Sequence, residues 1–298
     1  MPSGSGYTRL AGRGVLTVAG ADATTFLQGL VSNDVMRVTP ERAVYAALLS
    51  AQGKFLHDLF VAAPGDGLAL DCDRERRDDL LRRLTLYKLR ARVELADASD
   101  RYMVAALFGS HVAAALDLNP EPGRARAIGG GIVYIDPRLP ALGARAILPT
   151  DTGEATLAGL GFAPRSTDAY DQHRLALGIP DGSKDMKAGA DFLLECNGDA
   201  LNAIDWNKGC YVGQEITARS RYRGTVRKRL MPVAIKGPAP APGTPITIAG
   251  PDGGPAAGEM RTALDGRGIA LLRLDCLDKP LAAGEAGLRA SRPDWLPG

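Results

Sequence analysis

The densest group of reactive side chains is Asp205-Trp206-Asn207-Lys208-Gly209-Cys210-Tyr211-Val212-Gly213-Gln214-Glu215, followed by Arg219, Arg221, Arg223, Arg227, Lys228 and Arg229. Gly209 and Gly213 bracket Cys210 and Tyr211, so the backbone can turn sharply there or approach a ligand closely. Lys208 lies two residues from the thiol, and a neighbouring ammonium favours thiolate, lowering a cysteine pKa from its ordinary ~8.5. Such a thiol suits nucleophilic or redox chemistry. Spacing alone favours a blander reading, a small buried residue in a glycine-rich turn before a helix starting near Gln214, because free cysteine is commonly buried. The arginine run reads either as a solvated face or as an anion site, since guanidinium pairs bidentately with carboxylates and phosphates.

The other cysteines, Cys72, Cys196 and Cys276, are widely spaced and form no Cys-x-x-Cys pair, so neither a zinc ribbon nor a disulfide framework is indicated. His57, His111 and His173 offer no metal-site spacing, and a permanent metal site is not expected. The 298 residues are 45% hydrophobic and 23% charged, which points to two or three globular domains. A net charge of +2 gives no general attraction to nucleic acid or anionic membrane. No apolar run approaches the roughly 20 residues of a membrane helix. The start, Met1 to Tyr7, has neither a signal core nor a transit pattern, and the expectation is a bacterial cytoplasmic protein.

The elements that must position Cys210 read as an α+β chain. Residues 15–18 form a strand, Gly20 and Asp22 supply a turn and N-cap, and Ala23, Phe26, Leu27 and Leu30 mark the buried face of a helix. Residues 43–49 and 54–63 flank the turn Ser50-Ala51-Gln52-Gly53 as a hairpin. A strand at 68–72, a helix at 74–88 with Leu80, Leu81 and Leu84 inward, and a strand near 92–95 complete a unit expected to span 1–98. A second unit, 99–226, weakly echoes the first: a strand at 103–107, a helix from Ser110, strands at 132–136 and 144–148, and a helix at 166–177. From Arg227 short strands alternate with Pro and Gly turns, among them Gly250 to Gly254, which predicts a small antiparallel barrel over 227–298.

Lys208 to Glu215 resembles the signature Lys-Gly-Cys-Tyr-x-Gly-Gln-Glu of the YgfZ family of folate-binding, iron–sulfur-related proteins. Phe26-Leu27-Gln28-Gly29-Leu30-Val31-Ser32-Asn33-Asp34-Val35, Gln52-Gly53-Lys54, Tyr87-Lys88-Leu89-Arg90, Arg174 to Pro180 and Arg223 to Arg229 resemble family segments in the same order. That family is similar to the aminomethyltransferase, or T-protein, of the glycine cleavage system. The resemblance implies two ferredoxin-like α+β units and a C-terminal β-barrel around a central folate cavity. It implies tetrahydrofolate or a derivative as ligand, with Glu195 accepting from the aminopyrimidine edge, Tyr170 stacking, and Asn33, Asp34, Tyr211, Gln214 and Arg227 also at the folate. Cys210 and Lys208 are then the chemical residues.

The resemblance implies a tetrahydrofolate-binding protein that supports assembly or repair of iron–sulfur clusters, with cluster carriers and client enzymes as partners. The rival is a folate-dependent aminomethyltransferase. Where the transferase has the first of two aspartates on a hairpin strand, this chain has His57-Asp58, which weakens that reading. A third reading is a scaffold without turnover, in which Cys210 transiently holds a cluster or a partner thiol. RNA binding through the arginine run is disfavoured, because Tyr222 alone interleaves an aromatic.

Overall fold

The computed structural model describes residues 4–224, 226–250 and 254–297. The first three residues of the chain, Thr225 of the basic run and residues 251–253 of the expected Gly250 to Gly254 turn lie outside the described residues.

The first unit contains β2 (Arg13–Ala19), α1 (Ala23–Gln28), β3 (Val44–Leu49), β4 (Phe55–Gly65), β5 (Gly67–Asp73), α2 (Arg77–Lys88) and β6 (Glu94–Asp97). Its strands form an antiparallel sheet in the order β3-β4-β5-β2-β6. The preceding strand, β1 (Gly6–Arg9), instead joins the second sheet, β11-β1-β7-β10-β9-β8. That sheet is built from β7 (Tyr102–Phe108), β8 (Ala125–Ile128), β9 (Gly131–Ile135), β10 (Ala144–Pro149) and β11 (Ala163–Pro164). Around it lie α3 (Val112–Ala115), α4 (Gly153–Gly159), α5 (Thr167–Ala176) and α6 (Gly182–Asp185). After α7 (Gln214–Tyr222), strands β12 (Lys228–Lys236), β13 (Pro245–Ile248), β14 (Ala256–Leu264), β15 (Arg267–Arg273), β16 (Leu281–Ala283) and β17 (Ala286–Ala290) close into a barrel.

Strand alternation decides which face each side chain joins. Leu16 and Val18 of β2, with Leu68 and Leu70 of β5, pack on Leu27 of α1 and on Leu80 and Leu84 of α2. The intervening Val15, Phe60 and Ala69 face the second sheet, where they meet Val104, Ile132, Tyr134 and Ile147. Met103, Ala105 and Leu107 point the other way, toward Val112 and Leu157 of α3 and α4. The two sheets therefore face each other with helices outside, and Leu230 and Ile269 of the barrel join the shared core.

Charge runs through that core. Asp71 is fully buried and accepts from Arg13 Nε at 2.6 Å and Arg145 Nε at 3.0 Å, so it ties the first sheet to β10 of the second. Arg13 also reaches Asp58 at 2.9 Å. The guanidinium groups of Arg145, Arg138 and Arg13 surround the Phe60 ring at 3.9, 4.9 and 5.6 Å from its centroid. Breaking a buried pair leaves an uncompensated charge, so this cluster fixes how the sheets meet.

Two local expectations change. Asp22 precedes α1 but does not cap it; its carboxylate accepts from the Arg92 backbone N–H at 2.8 Å and from the Arg92 side chain. The helix expected from Ser110 is the single turn α3, entered through His111 at φ 62. Ser166, in contrast, caps α5 by accepting from Ala169 N–H at 3.2 Å.

His57, 2% exposed, sits on β4 with Nε2 3.0 Å from Asp79 of α2. Asp79 is held near 2, against the cost of its own burial, by hydrogen bonds from Arg83 and His57, so Nε2 carries the proton and Nδ1 is left bare and buried. Burial first, then Arg76, lowers the His57 pKa to about 4. Between pH ~6.5 and ~4 the unfolded chain takes up a proton that the native imidazole refuses. Stability attributable to His57 is thus full above ~6.5 and falls by about 3 kcal/mol on acidification to ~4. Denaturant unfolding of His57→Gln should show a flatter loss across this window than wild type; equal slopes would show that His57 is not the titrating group.

Candidate functional site

The segment from Asp205 to Tyr211 is a braced loop. The Asp205 carboxylate accepts from Asn207 N–H at 2.8 Å and Lys208 N–H at 3.2 Å, closing a turn, while Asp205 N–H donates to Ser32 carbonyl at 3.1 Å. Lys208 Nζ then donates to the carbonyls of Gln28, Val31 and Asn33 at 2.7, 2.6 and 2.8 Å. These oxygens belong to the last residue of α1 and to the segment just after it, where unpaired carbonyls favour a cation. Burial lowers the Lys208 pKa to about 8, opposed by Asp34 and Asp205. An ammonium has three protons, and all three are engaged on carbonyls. Lys208 therefore has no proton left to donate to the Cys210 thiol.

Beyond the thiol, Gly213 holds φ 82, and a Cβ there would lie 2.4 Å from Ser50 carbonyl oxygen. Gly53, at φ 72 in the facing hairpin turn, leaves room for Ile216 of α7, which an added Cβ would approach to 2.8 Å. The two glycines let the cysteine loop lie directly on the β3–β4 turn. Tyr211 is half-buried; its backbone N–H donates to Gln214 Oε1 at 3.1 Å, and burial pushes its hydroxyl pKa up to about 12. The motifs at 26–35, 52–54 and 208–215, remote in sequence, thus converge around one loop.

That loop presents a thiol to solvent. Cys210 is exposed, whereas Cys72, Cys196 and Cys276 are buried. Burial pushes Cys72 up to about 12 and raises Cys196 well above its ordinary value, so both stay protonated fillers. Among the described residues no three His, Cys, Asp or Glu side chains converge as a metal-binding set.

The residues expected around folate lie in several settings. Asn33 borders a cleft of about 450 Å³ with Arg37, Arg42, Tyr45, Asn202 and Trp206, but its amide is spent on Tyr45 and Asn202 carbonyls, each at 2.7 Å. Asp34 braces the same turn, accepting from Gln28 Nε2 at 2.9 Å. Tyr170 is buried against Phe108, ring centroids 5.5 Å apart, and borders a different cavity of about 140 Å³ beside Arg13 and Asp181. Glu195 lies against β12: Leu230 N–H donates to its carbonyl at 2.8 Å, and its carboxylate accepts from Phe192 N–H at 3.2 Å. Gln214 caps the Tyr211 turn, and Arg227 is an exposed residue before β12. Asn33 and Tyr170 thus border different cavities, and no step is routed through folate.

Sequence reasoning missed Ser32, whose hydroxyl donates to Ala203 carbonyl at 2.6 Å and accepts from Ala47 N–H at 2.8 Å. It also missed Arg13, Asp71 and Arg145. A lone charge inside an apolar strand, such as Asp71 between Leu70 and Cys72, was the available signal.

Two α+β units and a closed barrel, with one thiol on a braced loop, define a protein of the T-protein fold. The chain resembles the glycine cleavage system aminomethyltransferase T from Bartonella henselae with a TM-score of 0.77 over 98% of this chain and 86% of that one, at 14% identity, which speaks to fold alone. Residues 8–119 match the GCVT N-terminal domain and residues 227–298 the CAF17 C-terminal beta-barrel domain. The mitochondrial iron–sulfur cluster assembly factor IBA57 of Homo sapiens is 34% identical over 97% of this chain and 85% of its own length, and that of Mus musculus matches equally. The homologue from Neosartorya fischeri is 32% identical over 95% of this chain and 73% of its own. The chain belongs to the family of the iron–sulfur cluster assembly factor IBA57. These relatives are mitochondrial, which overturns the expectation of a cytoplasmic protein. No helix among the described residues is long and apolar enough to cross a membrane.

The position of Glu195 gives a direct check on the dispersed folate set. Calorimetric titration of tetrahydrofolate should give the same curve for wild type and Glu195→Ala; a loss of about tenfold in affinity or more in the variant would place Glu195 on the ligand.

Proposed function

We propose that this chain supports assembly or repair of iron–sulfur clusters in client enzymes, and that Cys210 is the group through which it engages a cluster or a partner thiol. One observation carries the reading: of four cysteines, Cys210 alone is exposed, on a loop fixed from both sides. The relatives' role and the likeness of Lys208 to Glu215 to the YgfZ signature point to the same residue.

Iron–sulfur clusters are held by thiolates, usually four. As a cluster ligand Cys210 gives its proton to water and a sulfur lone pair to iron; the remaining ligands come from the protein that delivers or receives the cluster. Lys208 holds the loop, and Gly213 sets its approach to the hairpin, so the thiol is presented without a search. Folate is not needed for this step. Aminomethyl transfer is disfavoured because His57 is buried, neutral and bonded to Asp79.

Cys210→Ser changes one atom at an exposed site, so the variant should fold with unchanged thermal stability. In cells lacking the protein it should leave iron–sulfur enzyme activity at the deletion level, while Cys196→Ser restores it. Full restoration by Cys210→Ser would overturn the thiol mechanism.

A further inference from the structure

The end of α2 carries apolar side chains that the core does not use. Its inward face buries Leu80 and Leu84 completely in the core of the first unit. Just beyond, Leu86 is 67% exposed, Tyr87 45% and Leu89 89%. Of the five exposed large hydrophobic side chains among the described residues, three fall within these four positions. A single exposed leucine is ordinary, but a cluster marks a contact surface. Leu89 closes the helix at φ 41, a left-handed conformation that a bulky residue seldom adopts. Such strain persists only where the surroundings impose it. Here Ala91 N–H donates to Lys88 carbonyl at 2.8 Å, and Arg92 is tied to Asp22 through its backbone and its side chain.

The same stretch is basic. From Arg74 to Arg92 the sequence has eight Lys and Arg against three carboxylates, in a chain whose net charge is only +2. Arg82 and Arg83 are spent on Asp79, and Arg92 on Asp22. Lys88 and Arg90, on either side of Leu89 in sequence, pair with no carboxylate among the described residues.

We propose that the end of α2 docks peripherally on an anionic lipid bilayer. Leu86, Tyr87 and Leu89 enter the headgroup region, and Lys88 and Arg90 meet lipid phosphates. Exposed aliphatic side chains flanked by cations are what an interfacial membrane contact requires, and tyrosine favours the lipid–water boundary. An acidic protein is the poorer occupant. Interface anchors are chiefly Trp, Tyr and Arg, with Leu and Lys under-represented, and a leucine 89% exposed projects from the surface rather than lining a pocket. The contact makes no use of Cys210.

The test is co-sedimentation of the full chain with vesicles of phosphatidylcholine alone, or of phosphatidylcholine mixed with phosphatidylglycerol. Binding is expected to the mixed vesicles at low salt, and to be about tenfold weaker or more on phosphatidylcholine alone and in ~0.5 M salt. Leu86→Asp/Leu89→Asp and, separately, Lys88→Glu/Arg90→Glu should each weaken it about tenfold with thermal stability unchanged, since these side chains make no core contact. Arg223→Glu/Arg227→Glu, in the other basic run, should bind as wild type does. Four results would overturn the proposal: no binding to the mixed vesicles, undiminished binding by the leucine variant, loss of binding in the Arg223/Arg227 variant, or a wild-type dimer in sedimentation velocity that Leu86→Asp/Leu89→Asp dissociates.

Discussion

The position of Cys210 depends on one ammonium. Lys208 joins the carbonyl of the last residue of α1 and two carbonyls of the segment after it to the loop that carries the thiol, across 175 to 180 residues of sequence. Half-buried carbonyls without a donor are costly, roughly 1–3 kcal/mol each, so the clip stabilises both segments at once. Arginine would not substitute readily, since its planar fork cannot point three donors into a pocket that surrounds a single nitrogen. The residue nearest the thiol in a functional reading is therefore a positioning residue.

The clip works because its two anchors are themselves fixed. Residues 31–35 are held by Ser32 and Asn33, which bond to Ala203 and Asn202 carbonyls. The opposite wall is the β3–β4 turn, rooted in the first sheet, and that sheet is locked to the second through Arg13, Asp71 and Arg145. Lys54 extends the contact, donating to Ala190 carbonyl at 2.6 Å and lying 3.3 Å above the Phe192 ring. A buried charge cluster is a weak source of net stability, but one that tolerates few alternative pairings. Its value here is that the sheets, and hence the two walls of the loop, meet in one register.

Much of this was legible in the sequence because it depends on local spacing. The alternating strands, the hairpin at 43–63, the Ser166-capped helix and the barrel after Arg227 all follow from periodicity and turn residues. The cysteine segment was legible as an unusual concentration of Gly, Lys and Arg. The role of Lys208 was not, because adjacency to Cys210 suggested a partnership that its carbonyl partners, remote in sequence, pre-empt. The folate residues meet a related limit: residues carried over one at a time from a resemblance need not share a wall. Tyr170 and Glu195 are buried or bonded elsewhere, and periodicity says nothing of which cavity a side chain reaches. Asp22 shows the same limit at short range, its carboxylate drawn to Arg92 rather than to the helix it precedes.

The central claim, that this fold presents one thiol and hides three, is tested most directly by alkylation of the native protein with iodoacetamide and peptide mapping over time. Cys210 should be modified first and to completion, with Cys72, Cys196 and Cys276 labelled only once the chain is unfolded. Protection of Cys210 in the native protein, or labelling of any buried cysteine at a similar rate, would contradict the account.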